Sequence, residues 1–501
     1  MNDTIATAAS ARPGPLEPAE VRSIIFGILM AMFLAALDQT IVATAMPTIG
    51  HELHDVEHLS WVVTAYLLAS TAVTPLYGKL SDTHGRRHTL LAAIGIFLVG
   101  SVACALAPSM LVLILARGLQ GLGGGGLISL AQTIIGDIVS PRERPRYQVH
   151  IASVFVSSSL AGPVLGGFFA QHLHWSLIFW INLPLGLIAF WMTNAKLRRL
   201  PRHERYHRLD VLGAVLMVGA TVTLMLALNW GGTRFAWLSA PVLGLCGASA
   251  ALWAAFAFRL LTAREPLIPL AILSNSVVAA GTVASCFAMG TFIGLTIYMP
   301  VYLQTVAGLS ASNTGLALIP LMGGTVAGAT VSGRAMARLR HYKRLPIFGL
   351  LASIAVTAIL ALFPRSLPLP ALEIVLACLS LGLGTVLPVV TISIQNAVPL
   401  HQLGTATATM NFFRALGGAV AVAAFGAIVL SGVAARGAAG AGLETLLAGL
   451  TVSAAEMAGV FRWVFAAAGA GLAVAWLALL FMEERPLLDR GARTGETAAA
   501  E

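Results

Sequence analysis

The chain has 501 residues, of which 57% are hydrophobic and 10% charged, with mean hydropathy +0.85. Soluble globular domains carry charge on roughly a quarter of their residues, so this is a polytopic membrane protein without room for a large soluble domain. A net charge of +9 raises nucleic acid as a partner, but the basic residues fall in alternate loops, where they act as a topological signal.

Residues 1–22 lack the basic stretch and short apolar core of a cleavable signal and are expected to form a cytoplasmic tail. Apolar runs then predict fourteen spans, near 23–46, 59–78, 88–107, 109–133, 147–171, 176–195, 209–229, 237–261, 276–304, 312–333, 345–363, 369–393, 404–431 and 462–482. Lys and Arg dominate the loops after spans 2, 4, 6, 8 and 10. The opposite loops hold Arg234, Arg365, Arg436 and Arg462. The positive-inside rule therefore puts both termini in the cytoplasm.

Span 1 carries Asp38 in "LDQTIVATAMP". Charges in a bilayer cost at least ~2.5–3.5 kcal/mol, so they face cavities or one another and mark ion or substrate paths. The next loop holds His51, His54 and His58 with Glu52, Asp55 and Glu57, a polar loop without the spacing of a metal site.

"GKLSDTHGRRH", 78–88, closes span 2. Gly78 permits close helix approach and Gly85 a tight turn. Asp82 can take hydrogen bonds from a neighbouring helix N-terminus or pair with Arg86, and Arg86 and Arg87 anchor the loop. The pattern reads as a conformational latch. Its counterpart, "GRAMARLRHYKR" from 333, has Ala337 where an acid would be needed.

"LARGLQGLGGGG", 115–126, places Arg117 and Gln120 inside span 4, with Arg117 at a depth similar to that of Asp38. Asp38 is thus a candidate proton carrier and Arg117 its modulator. The glycines that follow suit close helix packing, because no Lys-Ser/Thr completes a phosphate loop. In span 5, "GPVLGG" brings together Gly162, Pro163, Gly166 and Gly167, expected to bend the helix against one in the other half. In span 13, "MNFFRALGG" places Asn411 and Arg414 in the membrane. Arg414 has no obvious acid in its half, and it is a candidate for an anionic group, a carbonyl or a contact between halves, with Asn411 and Gln120 as further candidates for contact with substrate or between the halves. All four cysteines lie in apolar runs and are read as packing residues. Trp61, Trp175, Trp180, Trp230 and Trp237 sit near span ends, where interfacial anchors belong.

Pro47 and Pro300, Gly78 and Gly333, and Pro141 and Pro399 recur about 255 residues apart in the same in/out sense, the mark of parallel repeats. The expected organisation is a cytoplasmic tail (1–22), an N-terminal six-helix bundle (23–195), and a basic loop with two inserted helices and a connecting loop (196–275). A C-terminal six-helix bundle (276–482) and a cytoplasmic tail (483–501) complete the chain.

These motifs together resemble the major facilitator superfamily, and within it the fourteen-span drug:proton antiporters of the EmrB/QacA type. "LDQTIVATAMPTIG", "GKLSDTHGRRH", "LARGLQGLGGGG", "AGPVLGG", "IFWINLPLG" and "LGTATATMNFFRALGG" carry the likeness across nearly the whole chain. The resemblance implies an all-α major facilitator fold of two six-helix bundles plus two central helices. It also implies proton coupling by Asp38 and Arg117, a switch at Gly78, Asp82, Gly85 and Arg86, and an export bias from Gly162, Pro163, Gly166 and Gly167. Ala43 and Ser176 depart from the family pattern, where Asn and Arg are frequent.

The function expected is proton-driven multidrug efflux of lipophilic, often cationic compounds from the inner membrane, with protons as coupling ion and no cofactor or metal. A monomer suffices for transport, and a periplasmic adaptor is a candidate partner. An exporter of an endogenous lipid, siderophore or metabolite is the nearest alternative. A membrane enzyme or non-transporting receptor is remote, since no nucleophile-base pair or nucleotide motif occurs.

Overall fold

The computed structural model describes residues 18–55, 58–199, 209–339, 341–365, 367–434 and 453–487. Most of both expected tails, Glu57, and the basic residues Arg202, Arg205, Arg208, Arg340 and Arg436 lie outside them.

Among the described residues, fourteen helices are long and apolar enough to cross a membrane. They are α1 (Pro18–Glu52), α2 (Leu59–His84), α3 (Arg86–Ala105), α4 (Met110–Ile138), α5 (Arg144–His172), α6 (Leu177–Lys196) and α7 (Val211–Trp230). They continue with α8 (Ala240–Thr262), α9 (Ser276–Thr305), α10 (Asn313–Arg338), α11 (Arg344–Leu362), α12 (Leu369–Asn396), α13 (Leu403–Ala434) and α14 (Ala454–Phe481). The fold is all-α among the described residues, apart from one isolated bridge between Gly231 and Phe235.

Helix ends follow local chemistry that hydropathy does not register. Pro47 lies inside α1, which runs on to Glu52 rather than stopping near 46. At the other end of the chain, the Ser453 side chain accepts from the Glu456 N–H and Glu456 reaches back to Ser453, a capping box that starts α14 eight residues before 462. Arg462 consequently lies within a helix and not in the loop expected for it.

Packing repeats between the halves. α1 lies on α4, α5 and α6 as α9 lies on α12, α13 and α14, while α2–α4, α3–α4 and α3–α6 correspond to α10–α12, α11–α12 and α11–α14. Across the halves, α2 meets α13 and α5 meets α10, again an equivalent pair. The inserted α7–α8 hairpin breaks this symmetry by lying over the α2–α13 side only. Asn229 donates to Thr64 Oγ1 (3.3 Å), Trp230 meets Trp61 edge-on (6.0 Å), and Trp253 touches Phe412 of α13 (6.1 Å). Its base is fastened by Asp210, which caps α7 and accepts from Arg259 Nε at 3.0 Å.

The apolar core of α9–α14 is continuous, whereas that of α1–α6 is divided into two clusters. Trp175 belongs to the second of these, 3% exposed and edge-on to Phe179, so it is a core residue rather than the interfacial anchor expected.

Candidate functional site

A polar layer divides the N-terminal core. Asp38 of α1 is fully buried between a cluster ending at Ala35, Tyr66 and Phe97 and another beginning at Ile41, Cys104 and Ala116. Arg117 Nη1 donates to its Oδ2 (2.6 Å), while Gln120 Nε2 (2.8 Å) and Asn182 Nδ2 (3.0 Å) donate to Oδ1. Arg117 Nη1 also reaches Gln120 Oε1 (2.7 Å), Nε donates to the Val62 carbonyl (3.1 Å), and the guanidinium lies 4.4 Å from the centre of the Tyr66 ring. Ser101 links the layer together, taking hydrogen bonds from Gln120 and Asn182 and donating to the Phe179 carbonyl at 2.9 Å.

Small residues make this convergence possible. A Cβ on Gly100 would lie 2.4 Å from Gln120 Cα, and one on Gly121 would lie 2.5 Å from the Tyr66 carbonyl oxygen. Helices α2, α3 and α4 therefore approach backbone to backbone, and the side chains of α4 reach Asp38 without strain. Sequence reasoning singled out Asp38 and Arg117 here but not Asn182, Ser101 or Tyr66; Gln120, expected to contact substrate or the other half, is instead buried within the N-terminal half on Asp38, Arg117 and Ser101. The available signal was an amide in an apolar span, in "FWINLP", since a buried amide demands partners.

Asn182 leaves one such demand unmet. Its Oδ1 is buried and without a hydrogen-bond partner, at a cost of about 1–3 kcal/mol. On α1, Gln39, Ala43 and Pro47 are exposed at four-residue intervals, starting next to Asp38.

A second constellation joins the halves at the face bearing the basic loops. Asp82 accepts from the backbone N–H groups of Gly404 (3.0 Å) and Thr405 (2.7 Å), from Thr405 Oγ1 (2.7 Å) and from Arg86. A carboxylate thus sits at the positive N-terminal end of α13 while also pairing with Arg86. Arg86 continues to Asp137 (2.6 Å), Ser81 (2.7 Å) and the Leu400 carbonyl, and Arg87 binds Asn194 of α6. Gly78 lies so close to α13 that a Cβ would stand 2.6 Å from the Gly404 oxygen. Gly85 takes φ +86° in the turn between α2 and α3.

The symmetry-related junction is built from different chemistry. Gly333 approaches the Pro145 carbonyl, and neighbouring Arg144 is fully buried, donating to the last carbonyls of α4, at Gly136 and Val139, and to Gln395 of α12. Arg144 was expected in a loop. Because Pro145 favours the first turn of a helix, α5 begins at Arg144 and draws it inside.

Gly162 and Gly166 do not face the other half, as expected of them. A Cβ there would collide with Thr40 Oγ1 (2.1 Å) and the Ile41 carbonyl (2.3 Å) of α1, and Thr40 donates to the Ser158 carbonyl at 2.9 Å. Pro163 is exposed, and nothing lies within 4 Å of the Cβ position of Gly167. The glycine face is used inside the half because α5 meets α10 near its other end, at Pro145.

In the C-terminal half, Arg414 is part-buried. Nε donates to Ser285 Oγ (3.0 Å), Nη1 to Asn411 Oδ1 (3.1 Å), and Nη2 approaches Thr391 Oγ1 (3.4 Å) and Met410 Sδ (3.6 Å). Asn411 in turn donates to Gln132 Oε1 of α4 at 2.9 Å, bridging the halves.

The histidine-rich loop forms pairs: Asp55 with His58 at 3.0 Å, which lowers the Asp55 pKa, and Glu52 with His174 at 3.4 Å. His174 also holds Ser176, at the position where the family pattern favours Arg. No three potential metal ligands cluster among the described residues.

Residues 28–422 match the Major Facilitator Superfamily. An uncharacterised MFS-type transporter of Mycobacterium tuberculosis is 33% identical over 85% of this chain, and the matched part spans 62% of that relative's length. The multidrug transporter protein MdtP of Bacillus subtilis is 31% identical, over 81% of this chain and 75% of MdtP. Among solved structures, the human organic anion transporter MFSD10 superposes with a TM-score of 0.64 at 18% identity, covering 92% of this chain and all of that one, a likeness of fold.

Proposed function

The chain belongs to the Major Facilitator Superfamily, and on that premise we propose that it is a proton-driven exporter of lipophilic, often cationic compounds, working by alternating access in the cytoplasmic membrane. The observation that carries this reading is the Asp38–Arg117–Gln120–Asn182 layer, where, among the described residues, an acid and a base are buried together deep in the N-terminal half. Multidrug transport in a relative agrees with it.

With the basic face taken as cytoplasmic, the junction of α2, α4 and α5 with α10, α12 and α13 closes the inner end, which fits an outward-facing state. Three N–H donors converge on the Asp38 carboxylate, one on Oδ2 and two on Oδ1. A proton arriving there weakens the pull on these donors, and its O–H then needs an acceptor. Rotating the Asn182 amide supplies one, because Oδ1 has no other partner. Protonation thereby releases Arg117 from its ion pair and loosens α1 against α4. Asp82, Arg86 and Asp137 form the inner latch that must part for cargo to enter from the cytoplasm or inner leaflet.

The test is a pH-sensitive dye in energised everted vesicles, with cationic drugs added to wild type and to correctly inserted Asp38→Asn. Drug-induced proton release in wild type alone is the expected result. Equal drug transport with and without a proton gradient would sink the coupling.

A further inference from the structure

Among the described residues, Arg414 forms no ion pair. It lies eleven residues into α13, about 16 Å from the end of a helix crossing a ~30 Å core, and hence near the midplane. Among the described residues its hydrogen-bond partners are a serine, an asparagine, a threonine and a methionine, all neutral. The other intramembrane guanidinium deep in a half, Arg117, has Asp38.

Its position relative to the inner seal is specific. Of the hydrogen bonds described between the halves, Asn411–Gln132 lies farthest along α13 from the basic face. Arg414 is one helical turn beyond it, on the far side of the innermost seal, only part-buried, between α9 and α12. Ser285, Asn411 and Thr391 hold the guanidinium from three helices, leaving it oriented but not neutralised.

We propose that Arg414, oriented by Ser285, Asn411 and Thr391, is a recognition subsite for a carboxylate carried by otherwise lipophilic cargo, including zwitterions. A guanidinium fork matches a carboxylate with two parallel hydrogen bonds, and at low dielectric the pairing strengthens. The subsite rests on the exporter reading and narrows it, since purely cationic compounds gain nothing here. A bound carboxylate also competes for Nη1, which holds Asn411 toward Gln132, so occupancy and the innermost bond of the seal share one group.

The experiment measures equilibrium binding to the purified full chain by fluorescence polarisation, using a rhodamine with a free carboxylate and its ethyl ester. Wild type is expected to bind the free acid at least tenfold more tightly than the ester. Arg414→Gln should abolish that preference while keeping the ester affinity, and Arg414→Lys should keep part of it. Absence of preference in wild type overturns the proposal, as does an unchanged preference in monodisperse Arg414→Gln. Should the Gln variant not accumulate, Arg414→Lys decides: a preference undiminished without the fork overturns it. Binding needs no proton gradient, so the two readings fail separately. Drug-dependent proton release without acid preference leaves the exporter standing, and acid preference without proton release leaves the subsite.

Discussion

At the level of single residues, the Asp38 layer turns on geometry as much as charge. Arg117 uses Nε on the Val62 carbonyl and Nη1 on Asp38 and Gln120, a fork that an ammonium cannot reproduce. Arg117→Lys should therefore lose proton-coupled efflux, measured in everted vesicles, although the charge is kept. Asn182→Val removes both the donor to Asp38 and the acceptor proposed for its protonated form. The lost hydrogen bond and the removal of the orphan Oδ1 act in opposite directions, so stability should change by no more than about 1 kcal/mol. Drug-induced proton release should slow at least tenfold, and an unchanged release rate would deny Asn182 its part. Asp38 and Arg117 were legible in the sequence because a charge in an apolar run stands out. Asn182 and Ser101 were not, since a lone amide or hydroxyl in a span carries little contrast until a partner is seen beside it.

Among the helices, the inner seal depends on a carboxylate at the end of a helix. Asp82→Asn keeps the shape but removes the charge facing the N-terminus of α13 and Arg86. A loss on the order of 2 kcal/mol is expected for charge-assisted hydrogen bonds. Cysteines placed on the inner side of α13 should then label faster with a membrane-impermeant maleimide in everted vesicles. Gly78→Val should have a similar effect for a steric reason, since its Cβ would meet the Gly404 oxygen at 2.6 Å. The order of the fourteen helices could be read from hydropathy, which averages over about 20 residues. Their ends could not, because the Ser453 capping box and Pro145 act within a single turn and α1 runs on through Pro47. The direction of the Gly162 face was equally hidden, because glycine spacing announces a close contact without naming the partner.

For the molecule as a whole, the halves are symmetric in packing and unlike in their cores. The N-terminal core is split by a polar layer, and the C-terminal core is continuous. Rocking about the inner seal must also move the α7–α8 hairpin, which is bound to α2 at Thr64 and Trp61 and touches α13 through Trp253 and Phe412. With the hydrogen bond on the α2 side, the hairpin should travel with the N-terminal half. Bridging Trp253→Cys and Phe412→Cys with a short bifunctional thiol reagent should arrest efflux, and reducing the bridge should restore it. Full transport by the bridged protein would show that the hairpin does not slide.

The same hairpin has a consequence for traffic within the lipid. Of the two flanks where the halves meet, the one between α2 and α13 is roofed by protein, while that between α5 and α10 carries no such cover among the described residues. A hydrophobic compound dissolved in the leaflet then finds a single doorway, and a photoreactive lipid should mark α5 and α10 well before α2 and α13.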